Sequence, residues 1–149
     1  MKELRATSSI EVAAPVDRCF ALLSALEEYP DWYPEVVRSV EVVEHGSDGH
    51  AVQAVAVLHA SLGPIVRDFD LRLVVETERP TLVRVSRIPH DRSDPERFEV
   101  TWRLREAAKT WIGLELEAKL SVPRLVPVGG LGDTLAGGFT AAAARRLAR

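Results

Sequence analysis

Sulfur and aromatic side chains are scarce in this chain of 149 residues, which has one Cys, one Met and nine aromatics, 6% of the total. A single Cys excludes an intrachain disulfide framework and any zinc or iron–sulfur site built from clustered cysteines. The four His (His45, His50, His59 and His90) include no pair at i, i+4 ligand spacing, and no HExxH, P-loop or GxSxG motif is present. Neither a metal site nor a bound cofactor is therefore expected. No run approaches 18 apolar residues, so no membrane-spanning segment is expected either. Lys plus Arg number 19 against 22 Asp plus Glu, a net charge of -3. That mildly acidic balance argues against a nucleic-acid partner, which calls for a basic face. Met1–Ser9 holds no apolar stretch of a signal peptide, and a cytoplasmic location is the expectation.

What is present suits one domain over residues 1–149. The chain is 46% hydrophobic and 28% charged, and ~150 residues bury roughly 70% of their unfolded surface. Charge is uneven: residues 1–64 carry ten acids and four bases, and residues 65–149 carry twelve acids and fifteen bases. Arg145, Arg146 and Arg149 close the chain, where they complement the negative C-terminal dipole of a final helix.

Periodicity places the elements. Ser8–Ala13 alternates polar and apolar residues and reads as a short strand. Pro15 suits the first helical position, and Val16, Phe20 and Leu23 make one apolar face, so the spacing predicts a helix over 15–24. Tyr29–Pro34 contains two prolines four apart and three aromatics in five positions, which limits it to an irregular or one-turn segment. Period-two alternation then governs Val36–Glu44, His50–His59, Phe69–Val75, Thr81–Ile88, Phe98–Leu104 and Ile112–Leu120. Turn residues divide these runs at Gly46-Ser47-Asp48-Gly49, Leu62-Gly63-Pro64, Arg79-Pro80 and the polar loop 89–95. For the last two strands, charge matching favours a register in which paired residue numbers sum to 218. That sets Trp102 opposite Leu116, Arg103 opposite Glu115 and Glu99 opposite Lys119. From Pro127 to Arg149, Leu131, Leu135, Phe139 and Ala142 form a stripe on a helix of up to 23 residues, about 34 Å long. Consecutive strands flanked by segregated helices predict an α+β fold with a seven-stranded antiparallel sheet covered by that helix.

Two departures from an ordinary core point towards a site. The final helical segment contains Gly129, Gly130, Gly132, Gly137 and Gly138, although each helical Gly costs ~0.8–1 kcal/mol relative to Ala. The first three fit either a loop before a helix capped by Asp133 or the helix itself. Gly137-Gly138 fits either close backbone packing on the sheet or a cavity left by missing side chains, and the small Ala54, Ala56 and Ala118 favour the cavity. By parity with Phe69, Leu71, Val83 and Val85, Arg67 and Arg87 point inward. Each guanidinium then needs solvent, a carboxylate or an anionic ligand group. Cys19 beside the first helix's apolar face reads as an inert core thiol.

The layout from about Thr7 to Leu147 resembles the START-like helix-grip (SRPBCC) superfamily, in its polyketide cyclase/dehydrase and Coq10-like branch. The resemblance is carried by Ile10-Glu11-Val12-Ala13-Ala14-Pro15-Val16-Asp17, Phe20, Tyr29-Pro30-Asp31-Trp32-Tyr33-Pro34, the Gly-Ser-Asp-Gly hairpin and the terminal helix. It implies a seven-stranded sheet gripping the C-terminal helix, with two short helices between strands 1 and 2, around a hydrophobic ligand cavity. It also implies a partner that is a small hydrophobic or aromatic ligand: members bind lipids, quinones, polyketides or hormones, and some are aromatase/cyclases. Carried onto this chain, Tyr29, Trp32 and Tyr33 match the pocket mouth. The inward faces then supply Phe69, Leu71, Trp102, Leu116, Leu135 and Phe139 as walls, with Arg67 or Arg87 as polar anchor. The expected function is binding or transport of a hydrophobic or amphipathic molecule. The alternative is a polyketide aromatase/cyclase or dehydratase in the same cavity, with an Arg polarising a carbonyl oxygen. A third reading is an adaptor that contacts a partner through the basic end of its last helix.

Overall fold

Pro15 opens the first helix as a residue with extended backbone, φ -61° and ψ 151°, and the chain turns there from strand to helix. A computed structural model describes residues 2–62, 65–121 and 129–149. The elements are β1 (Lys2–Val12), α1 (Val16–Ser24), a 3-10 turn (Leu26–Glu28), α2 (Tyr29–Trp32), β2 (Val37–His45) and β3 (Ala51–Leu62). They continue as β4 (Ile65–Glu78), β5 (Leu82–Arg87), β6 (Arg97–Glu106), β7 (Thr110–Leu120) and α3 (Leu131–Leu147). The seven strands form one antiparallel sheet in the order β1-β7-β6-β5-β4-β3-β2. The α+β helix-grip architecture is therefore the one expected from the sequence. Sheet and helix meet because the alternating strands bury one row each: Leu71, Val83, Trp102, Leu114 and Ile112 lie beneath α3, α1 and α2. The helix α3 packs chiefly on β1 and β7, and α1 reaches β5 and β6.

Several local expectations need correction. β1 runs from Lys2 rather than Ser8, because β7 offers a backbone partner along its whole length, from Lys2 opposite Leu120 to Val12 opposite Thr110. The alternation Leu4, Ala6 is weak in sequence, but both side chains are buried once that ladder forms. β6 and β7 pair with numbers summing to 216, with Trp102 opposite Leu114 and Glu99 opposite Glu117. A three-residue turn at 107–109, closed by the Ala107 amide donating to Lys109 O at 3.1 Å, sets that register. Thr110 pins it by donating its hydroxyl to Ala14 O at 2.7 Å. The charges adapt: Arg103 reaches Glu115 diagonally at 3.1 Å, and Glu99 takes Arg84 of β5 at 3.4 Å.

The final helix is shorter than its apolar stripe suggested, 17 residues or about 25 Å. Gly130 precedes it in the left-handed region at φ 80°, so Gly129 and Gly130 form a turn, Gly132 is helical, and Asp133 sits in the first turn rather than at the cap. Pro127 and Val128, like Gly63-Pro64 of the β3–β4 turn, lie outside the described residues. The Gly137-Gly138 pair lines neither of the cavities described below. A side chain at 138 would run into the Tyr33 hydroxyl, and Gly137 has open space around it. Gly132 also lies against the sheet, with Ala6 Cβ 3.4 Å and Arg5 O 3.5 Å from where its Cβ would stand.

Candidate functional site

Alanines on the sheet, not glycines on the helix, leave room between the two layers. Ala60 of β3 and Ala118 of β7 lie on the floor of a cavity of about 290 Å³. Leu131, Leu135 and Phe139, spaced four apart on one stripe of α3, form its roof. Phe69 and Leu71 of β4, Leu58 of β3 and Phe98 of β6 complete the apolar walls. A second void of about 30 Å³ lies deeper, bounded by Leu26, Tyr29, Ala56, Leu73, Val85 and Val100 among others.

The polar lining includes both predicted arginines, and they differ in what they hold. The exposed Arg67 stacks its guanidinium 4.4 Å over the Phe69 ring and donates from Nη1 to Ser121 O at 2.8 Å. Arg87 is committed to its own loop. Its Nη2 meets Asp94 Oδ2 at 2.6 Å, its Nη1 donates to Glu96 O at 2.8 Å, and the two side chains are 15% and 10% exposed. Asp94 also accepts the backbone amides of His90 and Glu96, at 2.9 and 3.0 Å. The Arg87 guanidinium first, and these amides second, hold the Asp94 carboxyl far below the usual carboxylate range. Of the two cations, Arg67 is thus the one whose charge is not matched by a carboxylate within ion-pair distance among the described residues. His59 Nδ1 lies 2.7 Å from Asp68 Oδ1, and both residues line the cavity with Asp70, Glu96 and Arg97.

Of the other expected site residues, Phe69, Leu71, Leu135 and Phe139 line the main cavity and Tyr29 lines the deeper void. Trp32, Tyr33, Trp102 and Leu116 line neither. Trp102 and Leu116 are 0% and 1% exposed in the core. The aromatic segment is buried as well. Tyr29 donates its hydroxyl to Leu23 O at 2.6 Å, and burial pushes its phenol well above the ordinary range. Its ring lies 4.6 Å from that of Trp32, and Tyr33 meets Phe139 edge-on at 4.8 Å. Leu58, Ala60 and Phe98 were absent from the expected walls. Parity with Ala56 and with Trp102 would have found all three. Cys19 is fully buried near Ala14 O, and burial raises its thiol pKa, as an inert core thiol requires. Among the described residues no three His, Cys, Asp or Glu side chains converge as metal ligands, and no helix is long and apolar enough to cross a membrane.

A helix gripped by a seven-stranded sheet over an apolar cavity has relatives of known kind. Residues 12–144 match the family model described as polyketide cyclase / dehydrase and lipid transport. The chain belongs to this family. No protein of curated function matches it in sequence. Among solved structures, this family member is similar to a START superfamily protein from Mycobacterium smegmatis at TM-score 0.74 and 16% identity, over 97% of each chain. It is also similar to the aromatase/cyclase Zhui from Streptomyces sp. R1128, at TM-score 0.72 and 16% identity over 99% and 95% of the two chains. A STAR-related lipid transfer protein from Xanthomonas axonopodis matches at TM-score 0.68 and 18% identity, over 97% of this chain and 86% of the other. At these identities the likeness establishes the family's fold, and function has to be argued from the cavity. The Coq10-like branch stays with the resemblance alone.

Proposed function

We propose that this family member binds a small hydrophobic or amphipathic molecule in the 290 Å³ cavity between sheet and α3, with Arg67 holding the molecule's oxygen-bearing end. One observation carries the reading: a cavity walled by Phe69, Leu71, Leu135 and Phe139 also includes the Arg67 guanidinium, which has no carboxylate within ion-pair distance among the described residues. Concave, mostly apolar space with one or two convergent polar groups is the usual form of a small-molecule site. Apolar burial supplies affinity at ~25 cal/mol per Å² of surface, and Arg67 supplies orientation. Native mass spectrometry of gently purified protein, followed by a thermal-shift screen of lipid extracts and polyketide-like aromatics, tests the proposal. A bound mass, or stabilisation by an amphiphile that Arg67→Gln weakens, is the expected result. Absence of both in the two assays overturns it.

A second reading, polyketide cyclisation or dehydration, is favoured by the same guanidinium and by the family's description. There Arg67 polarises a ketone oxygen and so activates that carbonyl towards attack, and the walls fold the chain for intramolecular attack. Arg87 is unsuited to that role because Asp94 already neutralises it. Turnover of a model poly-β-ketone that survives Arg67→Ala unchanged would eliminate this mechanism.

A further inference from the structure

We infer that Phe98 is the end stop of the cavity and sets the length of the molecule it accepts, a class limited to single-chain or two-ring amphiphiles. This rests on the binding reading above and adds to it a residue and a size.

The main cavity and the deeper void are separate spaces that share three side chains, Leu58, Phe98 and Phe139. These side chains come from β3, β6 and α3 and form the partition between the two spaces. Phe139 is held in place: it is 4% exposed and meets Tyr33 and Trp102 edge-on at 4.8 and 6.2 Å. Phe98 is only half-buried, makes no aromatic ring contact among the described residues, and stands opposite the small Ala118 in the β6–β7 register. It also borders a further depression of about 180 Å³ on the β1–β7–β6 side. Bordered by space on three sides, Phe98 is the part of the partition whose truncation disturbs its neighbours least. Behind it the void is lined by apolar side chains and by Tyr29, whose hydroxyl is already taken by Leu23 O. Once Phe98 is truncated, that space suits the apolar end of a longer ligand whose oxygen rests near Arg67.

Size follows from volume. At ~30 Å³ for each liquid-packed heavy-atom group, 290 Å³ holds about ten groups. A diacyl lipid or a sterol is too large, and a chain of ten to twelve carbons fills it. Removing one large side chain from a partition opens roughly 100–150 Å³. Phe98→Ala therefore joins the two spaces and admits about four more carbons.

The test uses straight-chain saturated carboxylic acids from octanoic to octadecanoic, below their micelle concentrations, titrated calorimetrically into the full-length protein, Phe98→Ala and Leu58→Ala. The wild type is expected to prefer decanoic or dodecanoic acid and to lose at least tenfold in affinity by hexadecanoic. In Phe98→Ala the preferred length moves up by about four carbons, and Leu58→Ala, which opens the same partition from β3, moves it in the same direction. If the wild type binds acids but both variants keep its preferred length, the end-stop inference is overturned and the binding reading stands. If none of the three folded proteins binds any acid, the anionic-amphiphile reading fails and takes the inference with it. Circular dichroism confirms that each variant is folded.

Discussion

The Tyr33 hydroxyl occupies the place where a side chain at position 138 would begin, so the residue that ends α2 meets bare backbone of α3 with its ring. The contact explains why a helix carries Gly in mid-span despite its cost. It also gives a paired experiment. Gly138→Ala gains helix propensity of ~0.8–1 kcal/mol but forces Tyr33, packed at 4.8 Å on Phe139, to move. Overpacking of this kind costs about 1–3 kcal/mol, so net destabilisation in urea is expected. Gly137→Ala, with open space around it, stabilises by ~0.5–1 kcal/mol.

Arg67→Gln removes the guanidinium stacked on Phe69 but leaves an exposed residue in an otherwise unchanged strand. Melting temperature is expected to hold within a degree or two. Affinity for amphiphiles with a carboxylate or ketone falls about ten- to hundredfold, the usual scale of a charge-assisted hydrogen bond of about 1.5–3 kcal/mol. Affinity for a hydrocarbon of the same shape does not change. Calorimetry with the matched pair of ligands checks it.

Asp94, held down by Arg87, makes stability depend on acid. Its folded-state carboxyl titrates below the unfolded one, so its contribution is complete above the ordinary carboxylate range. That contribution drains away as pH falls below about 4 towards the depressed folded value. Unfolding free energy measured by urea between about pH 5 and pH 3 should drop with a slope that Asp94→Asn flattens. An unaltered slope in the variant would assign the acid sensitivity to other carboxylates.

Phe139 belongs both to the cavity roof and to the aromatic row of Tyr33 and Trp102. Truncation to Ala is expected to cost about 3–5 kcal/mol, seen as a lowered urea midpoint with little change in slope. The emptied space is where a bound hydrocarbon would restore stability. A larger ligand-induced rise in melting temperature for Phe139→Ala than for wild type checks that link.

Much of this architecture was legible in the linear order of residues. Alternation assigned each strand its inner row, and that row survives a register error: moving from a sum of 218 to 216 shifts β7 by two residues, which keeps Trp102, Leu114 and Leu116 on the same face. The error itself was electrostatic. Matching Arg103 with Glu115 across the strands carries a few tenths of a kcal/mol, less than the closure of a three-residue turn and the anchoring of Thr110 on Ala14 O.

Which faces are buried, how many strands there are, and that a helix must cover them were thus decided by the sequence, because side-chain period is a local property of strand and helix. Three things were decided only by the tertiary structure. Arg87 is neutralised by Asp94, seven residues away on a loop whose path no periodicity describes. The apparent gap at Gly138 is filled by Tyr33, a contact between residues about a hundred positions apart. The empty space lies instead over Ala60 and Ala118. A cavity is a sum over several strands and a helix packed at a particular distance, and such a sum exists only after the chain has folded.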